Sequence, residues 1–327
     1  MIYSNARLIF PDGIRDGLEV VVENGKIAEI RERSAADSID LAGNYLAPGF
    51  IDLHIHGAIG RDTMEATPES FRAICDAQRA EFIRDPDAGL LDQLLAFADV
   101  IKIVTLAPEL PGVLALIDRL RLHKIVVSGG HSDASDMEAR AGFEHGMRQV
   151  THTFNAMSSA RRRGIYREAG LLEFALSEPD IGCELIADGH HVSPTLMKML
   201  YWAKGPRGIC LVTDATAGAG LLEGKEFSLS GRNCVVGNGV CLLADRSALA
   251  GSASRMIDLI RVLVNQVNVP LHEAVAMANA NPARVLGLKA KGRFEVGADA
   301  DFVVLTPDWD VARTFVAGEE VFRGQKL

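Results

Sequence analysis

Long apolar runs and an excess of positive charge are both missing from this chain of 327 residues. No stretch reaches 18 apolar residues, which predicts no membrane span and no membrane partner. Lys and Arg total 34 against 43 Asp and Glu, so the net charge is −9 and the chain as a whole lacks the basic character that favours nucleic acid. The N-terminus has no basic segment followed by an apolar run, so the sequence predicts no signal peptide.

Cysteine is also scarce, with five residues and no CxxC pair. Scattered cysteines of this kind are typical of reduced core thiols, so the sequence predicts a cytoplasmic protein. Apolar residues make up 48% of the chain and charged residues 24%, which is the usage of a globular protein. This composition excludes disorder for most of the chain.

The two ends of the chain share an antiparallel β character. Apolar and polar residues alternate over the first 30 residues, where Asn24-Gly25 is a hairpin turn signal. Residues 296–322 repeat short β-rich runs that are broken by Gly, Pro and Asp. We therefore expect residues 1–48 and 292–327 to meet in one small β domain.

The middle of the chain, residues 49–291, alternates short apolar runs with helical patterns, for example at 67–82 and 194–204. This alternation predicts βα units and a mainly parallel sheet. The six predicted strands cover residues 49–56, 101–109, 124–131, 148–155, 182–190 and 208–215. The simplest arrangement is an α/β fold with a (β/α) barrel, whose catalytic face lies at the C-terminal ends of the strands.

Six of the nine histidines lie at or just after the ends of these strands, namely His54, His56, His131, His152, His190 and His191. Imidazole and carboxylate ligands that converge on one rim are what a divalent metal site needs. The alternative for any single histidine is a hydrogen-bonded surface group. His54 and His56 are two apart on one strand and face the same side, so a solvated pair and a metal-facing pair stay equally open.

Other polar residues follow the same strand ends. Asp214 ends an otherwise apolar strand, where a carboxylate is costly unless it is paired or ligating. Arg161–Arg163 follow the fourth βα junction, where an arginine fork suits a phosphate group. A solvated charge run is the alternative interpretation of the three arginines. His191 lies on the same rim as a second donor, and neither a P-loop, a Rossmann fingerprint nor a nucleophile elbow is present.

Seven motifs occur in one order along the chain: APGFIDLHIHG (47–57), TLAPE (105–109), SGGHSDA (128–134), THTFNAM (151–157), IADGHHVS (186–193), LVTDAT (211–216) and LAGSA (249–253). Together they closely resemble the N-acetylglucosamine-6-phosphate deacetylase family of the amidohydrolase superfamily, over nearly the whole chain. The resemblance implies a metal-bearing (β/α)₈ barrel over residues 49–291 and a β-sandwich from both chain ends. It also implies metal-dependent hydrolysis of N-acetylglucosamine 6-phosphate, in amino-sugar catabolism, to glucosamine 6-phosphate and acetate.

The resemblance also implies roles for single residues. Asp214 is expected to act as the general base and acid. The metal ligands are expected to be His131 and His152, joined by His54 and His56 as in members that carry two metals. Sugar contacts are expected from Asn155, Ala156, Leu249, Ala250 and Gly251, and phosphate contacts from Arg163 and His191. The expected cofactor is one or two divalent ions, zinc or iron, and the expected assembly is a homodimer.

One segment of the family is missing from this sequence. About two strands are absent between Phe82 and Ile83, including the His-Leu-Glu-Gly-Pro motif whose glutamate binds metal. Either the protein is shortened, or the natural chain has residues that this sequence lacks. The second is favoured, because a barrel that lacks two strands has open sheet edges. A truly shortened chain is expected to have a weak metal site and little deacetylase activity, unless His54, His56 or Asp214 complete the site.

Two other functions stay open at this point. The chain is then either a different amidohydrolase acting on a related amide, or a defective barrel that binds an amino-sugar phosphate without turnover. Dependence on the phosphate group separates the first from the deacetylase. Product formation set beside ligand binding separates the second.

Overall fold

The computed structural model describes residues 1–34, 37–59, 61–62, 88–229 and 231–324. The chain divides into two compact units: Met1–Leu53 with Met256–Leu327, and His54–Arg255. This division assigns residues 256–291 to the unit that contains both chain ends. The domain limits expected from the sequence, at 48/49 and 291/292, stay a prediction.

The strands, in chain order, are β1 Ile2–Ser4, β2 Arg7–Phe10, β3 Gly13–Arg15, β4 Leu18–Glu23, β5 Lys26–Glu32, β6 Ile39–Asp40, β7 Tyr45–Pro48, β8 Gly57–Ala58, β9 Arg61–Asp62, β10 Ile103–Leu106, β11 Val126–Gly129, β12 Met147–Val150, β13 Arg161–Arg163, β14 Tyr166–Glu168, β15 Gly182–Leu185, β16 Ile209–Leu211, β17 Glu226–Leu229, β18 Arg232–Gly237, β19 Val240–Leu243, β20 Leu249–Ser252, β21 Phe302–Leu305, β22 Val311–Val316 and β23 Glu319–Arg323. The α-helices are α1 Ala88–Leu95, α2 Val113–Leu122, α3 Asp136–His145, α4 Leu171–Ser177, α5 Pro194–Lys204, α6 Met256–Val262, α7 Leu271–Ala278 and α8 Ala280–Val285. A 3₁₀ turn covers Pro206–Gly208 and a π-helical turn Leu263–Val267.

The unit with both chain ends contains two sheets, in the orders β5-β4-β1-β6 and β23-β22-β21-β7-β2-β3. Alternation along the strands puts side chains of both sheets into one core, which includes Tyr3, Val20, Leu46 and Phe302. Asn24 and Gly25 both have positive φ in the turn between β4 and β5, as the hairpin signal predicts. The β-rich character of both chain ends is therefore confirmed.

The other unit is built around a five-stranded parallel sheet, β10-β11-β12-β15-β16. Four of its five strands are largely buried, which fits strands covered on both faces, whereas β10 has no fully buried residue. Five of the six predicted strands are thus confirmed in type and order. Their C-terminal ends lie at one edge of the sheet, because all five run parallel.

The first predicted strand, residues 49–56, is not a regular strand. One parallel bridge joins Ile55 to Ala215, supported by hydrogen bonds from His56 N and Gly57 N to Ala215 O. Within the described ranges this bridge is the β pairing of residues 49–56, so the segment forms no continuous ladder of hydrogen bonds with a neighbouring strand. The predicted helix 67–82 and the proposed gap at Phe82/Ile83 fall outside the described residues.

One of the two helices predicted from the sequence lies within the described residues. The predicted helix at 194–204 is α5, with Ser193 at the N-cap and Pro194 in the first turn, where a missing N–H costs nothing. Helix α3 begins with a reciprocal capping box between Ser135 and Glu138. None of the helices in the described ranges is long and apolar enough to cross a membrane.

Candidate active site

A cavity of about 590 Å³ opens at the C-terminal ends of the parallel strands. Its walls come from the C-terminal end of β10, the segments that follow β10, β11, β12 and β16, the bridge segment at residues 54–56, and strands β17 and β20. It is lined by His54, His56, Thr105, Leu106, Ala107, Gly130, His131, Thr151, His152, Asp214, Thr216, Leu229, Ala250 and Gly251. The four histidines and the aspartate expected at one rim therefore share one cavity.

Three of these side chains form a tight cluster. The Nε2 atoms of His54 and His56 are 3.1 Å apart. Asp214 Oδ1 lies 3.4 Å from Nε2 of His54 and 3.2 Å from Nε2 of His56. Ligands on a tetrahedral metal with bonds of about 2.0–2.2 Å are separated by about 3.3–3.6 Å, so the three atoms have close to the spacing of one coordination shell.

A second pair of histidines lies in the same cavity. Nε2 of His131 is 2.9 Å from Nε2 of His152, and the ring of His152 stacks on that of His54 at 5.5 Å between centroids. Burial, and next the charge of neighbouring histidines, lowers the pKa of both His131 and His152. Both rings are therefore neutral near pH 7, the state in which imidazole binds a metal.

Asp214 is ionised despite its burial. Burial by itself raises the pKa of this carboxyl, but the hydrogen bond from His56 holds it below its ordinary value. The net effect keeps a carboxylate in place as a metal ligand or proton acceptor near neutral pH.

The backbone at the strand ends adopts a conformation that few residues take. His131, His152 and Asp214 have φ values of 49°, 29° and 48°, in the left-handed region. Such residues cost on the order of 1–3 kcal/mol each and are concentrated at active sites. The turn at each strand end directs the side chain into the cavity.

Two glycines allow close packing at the strand ends that carry His131 and Asp214. A Cβ on Gly130, the residue before His131, would lie 2.8 Å from Cβ of Thr151. A Cβ on Gly251, whose φ is 72°, would lie 2.8 Å from the backbone oxygen of Asp214. Ser252 N donates to that same oxygen at 2.9 Å, so β20 holds Asp214 in position.

The donor set fits a divalent metal such as zinc or iron. His54, His56 and Asp214 supply two imidazole nitrogens and one carboxylate oxygen, and a metal explains two imidazole Nε2 atoms that face each other. Nδ1 of His152 is buried without a hydrogen-bond partner among the described residues. This nitrogen is therefore a further polar atom of the cavity region with an unmet contact. The ligand roles of His54, His56, His131 and His152 stay a prediction.

The predicted sugar-binding residues are divided between the cavity wall and its surroundings. Ala250 and Gly251 line the cavity, whereas Leu249, at the start of β20, does not. Asn155 is half-buried and donates from Nδ2 to the backbone oxygens of His152 and Thr153. Ala156 is exposed, and its backbone oxygen accepts from Ser132 N at 3.1 Å.

The two predicted phosphate contacts lie outside the cavity wall. Arg163 is on the β13–β14 hairpin, 73% exposed, and pairs with Glu168 at 3.1 Å. His191 is largely buried, and its Nδ1 lies 2.7 Å from Oδ2 of Asp188. Two backbone N–H groups, those of His190 and His191, donate to the other oxygen of Asp188 and orient this carboxylate.

Sequence reasoning did not identify several residues of the site. Thr105, Thr151, Thr216 and Leu229 line the cavity, but hydroxyl and apolar side chains carry no signal of their own. Glu184 on β15 is 2% exposed, and its Oε2 lies 3.1 Å from Nδ1 of His54. A carboxylate on an otherwise apolar strand was a usable signal for Glu184, by the same reasoning that singles out Asp214.

Comparison with known proteins shows which family this chain belongs to. The family model described as "Amidohydrolase family" matches residues 94–321. The chain belongs to the amidohydrolase family. An N-acetylglucosamine-6-phosphate deacetylase of Lysinibacillus sphaericus is 30% identical over 380 aligned positions, which cover 97% of this chain and 97% of the relative. An N-acetylgalactosamine-6-phosphate deacetylase of Escherichia coli is 28% identical, covering 96% of this chain and 97% of that protein.

A solved structure to which this amidohydrolase is similar has the same kind of name as the sequence relatives. The chain is similar to a point mutant of N-acetyl-D-glucosamine-6-phosphate deacetylase from Mycobacterium smegmatis in complex with N-acetyl-D-glucosamine-6-phosphate. The TM-score is 0.89 at 27% identity, with coverage of 98% of this chain and 99% of that one. The predicted fold class, a TIM-like barrel with a β domain, is confirmed by this likeness.

The alignment with one relative is longer than this chain. The alignment with the L. sphaericus protein has 380 positions against 327 residues here, so at least 53 positions lack a counterpart in this chain. The absence of a family segment between Phe82 and Ile83 stays a prediction.

Proposed function

We propose that this amidohydrolase removes acetate from N-acetylglucosamine 6-phosphate, leaving glucosamine 6-phosphate, with one divalent metal held by His54, His56 and Asp214. The observation that carries the proposal is the cluster of these three ligand atoms within 4.8 Å of one another in the cavity. The names of the related proteins support the substrate. The cluster does not include the glutamate of the family motif, so in this proposal the three ligands hold the metal without it.

The chemistry follows from the atoms that line the cavity. A bound divalent metal supplies a water of lowered pKa and polarises the acetamido carbonyl. Asp214 accepts a proton from the attacking water as the water oxygen adds to the carbonyl carbon. Asp214 then gives that proton to the amine nitrogen as the C–N bond breaks, so the products are acetate and a free amine.

The neighbouring histidines and glycines complete the site in this proposal. His131 and His152 offer two more nitrogens beside the first metal, for a second ion or for the carbonyl oxygen. Ala250 and Gly251 contact the sugar from the cavity wall. A homodimer is the proposed assembly, in line with the family resemblance.

Arg163→Ala tests the proposed phosphate contact. We expect Kd for N-acetylglucosamine 6-phosphate to rise by about 10- to 150-fold, because a charge-assisted contact is lost. Kd for unphosphorylated N-acetylglucosamine is expected to stay within about twofold. Isothermal titration of both sugars measures the difference.

Arg162→Ala is the matched control, since Arg162 lies on the same hairpin and donates to Gly164 O within it. The control is expected to bind both sugars as the parent does. An equal loss of both sugars in Arg163→Ala would show that Arg163 supports the hairpin and does not bind phosphate.

The function itself is tested by acetate release from three sugars. We expect the 6-phosphate of N-acetylglucosamine to be the preferred substrate over its galactose epimer and over the unphosphorylated sugar. Preference for the epimer would place the chain with the E. coli relative named above. Binding without acetate release would favour the non-catalytic barrel, and release that is indifferent to phosphate would favour a different amidohydrolase.

A further inference from the structure

Glu184 is a buried carboxylate that the proposed mechanism does not use. It lies on β15, where alternation places Cys183 and Leu185 on one face of the strand and Glu184 on the other. Its side chain is 3% exposed. A carboxylate in this position is costly unless its charge is compensated and its oxygens are hydrogen-bonded.

One oxygen of Glu184 joins two segments of the candidate metal site. Oε2 lies 3.1 Å from Nδ1 of His54 and accepts from the backbone N of His152 at 3.2 Å. A carboxylate can only accept, so Nδ1 of His54 carries the proton in this contact. In the neutral ring, Nε2 is then unprotonated, and it is this atom that lies 3.4 Å from Asp214 Oδ1.

The negative charge of Glu184 faces the imidazole of His54. Within the described ranges, no lysine or arginine lies at salt-bridge distance from Glu184, and the imidazole of His54 is the ionisable group at that distance. A cation on the far side of the His54 ring would balance the carboxylate. This arrangement of carboxylate, histidine and cation is the usual second layer of protein metal sites.

We propose that Glu184 is a positioning residue that fixes the tautomer and orientation of His54 for metal binding. The inference rests on the metal site proposed above and adds a residue to it. Glu184 itself does not touch metal or substrate. Its hydrogen bond makes Nε2 of His54 a better ligand and holds the backbone of His152 in register with it.

The test compares cobalt(II) affinity in Glu184→Gln and in the parent chain, by competition with a chromophoric chelator. We expect affinity to fall by about 10- to 100-fold, the usual effect of removing such a partner, with a changed cobalt absorption spectrum. Glu19→Gln is the matched control, because Glu19 is a fully buried carboxylate of the other unit that accepts from Arg31 and Ser34. We expect this control to melt earlier but to bind cobalt as tightly as the parent.

Unchanged cobalt affinity in Glu184→Gln would overturn the positioning role while leaving the proposed metal site intact. A parent chain that takes up no cobalt would overturn both. A second measurement needs no variant: ¹⁵N shifts of the His54 ring in the zinc-loaded parent chain. A proton on Nδ1 is expected, and a proton on Nε2 would contradict the proposal even if the variant failed to fold.

Discussion

Asp214→Asn is expected to lower kcat for acetate release by about 10²–10⁴-fold, while substrate still binds. The amide keeps the shape of the side chain but does not accept the proton of the attacking water. The hydrogen bond from His56 holds the pKa of the Asp214 carboxyl below its ordinary value, so the group is ionised for this role near neutral pH. Steady-state release of acetate at saturating metal measures kcat, and calorimetry measures the binding of substrate.

Asp12→Asn is the control for Asp214→Asn, since Asp12 is an exposed residue of the other unit that pairs with Arg15. The control is expected to match the parent. Acetate release by Asp214→Asn within about threefold of the parent would remove Asp214 from the acid–base role. It would also call for another acceptor of the proton in the cavity.

His56→Ala is expected to abolish tight metal binding, whereas His131→Ala is expected to retain one metal per chain. Removing His56 leaves two of the three ligand atoms of the cluster, and His131 is not part of that cluster. Removing a residue that hydrogen-bonds to a metal ligand already lowers metal affinity by about 10–100-fold. Removing a ligand itself is therefore expected to lower the affinity by more than about 100-fold. Metal per chain, by elemental analysis after dialysis, gives the result.

His123→Ala serves as the control for both variants, because His123 is exposed after helix α2. It is expected to keep the metal content of the parent. The reverse pattern, in which His131→Ala loses the metal and His56→Ala keeps it, would place the metal between His131 and His152. The role of His54 and His56 would then be to support that site.

The sequence predicts the candidate site well where chain position alone decides it. His131, His152 and Asp214 follow parallel strands directly, so the barrel pattern brings them to one edge and the structure places them in one cavity. The spacing of His54 and His56 puts both on one side, but it leaves a solvated pair open. That choice required the 3.2 Å distance from His56 to Asp214, which joins residues 158 positions apart.

Other parts of the site depend on tertiary structure that local patterns do not encode. The left-handed φ of His131, His152 and Asp214 follows from packing behind each strand end, as at Gly130 and Gly251. The first predicted strand, residues 49–56, is apolar enough for a strand but has only the bridge at Ile55 among the described pairings. Strand formation there depends on neighbours that its own sequence does not specify.

The central claim is that one metal in the His54–His56–Asp214 cluster supports deacetylation of N-acetylglucosamine 6-phosphate. It is tested most directly by stripping the chain of metal with a chelator, adding zinc in steps and measuring acetate release after each step. We predict no release from the stripped chain, a linear rise to one equivalent of zinc per chain, and a plateau beyond it. Release that is independent of metal, or no release at any zinc loading while the sugar phosphate binds, would contradict the account.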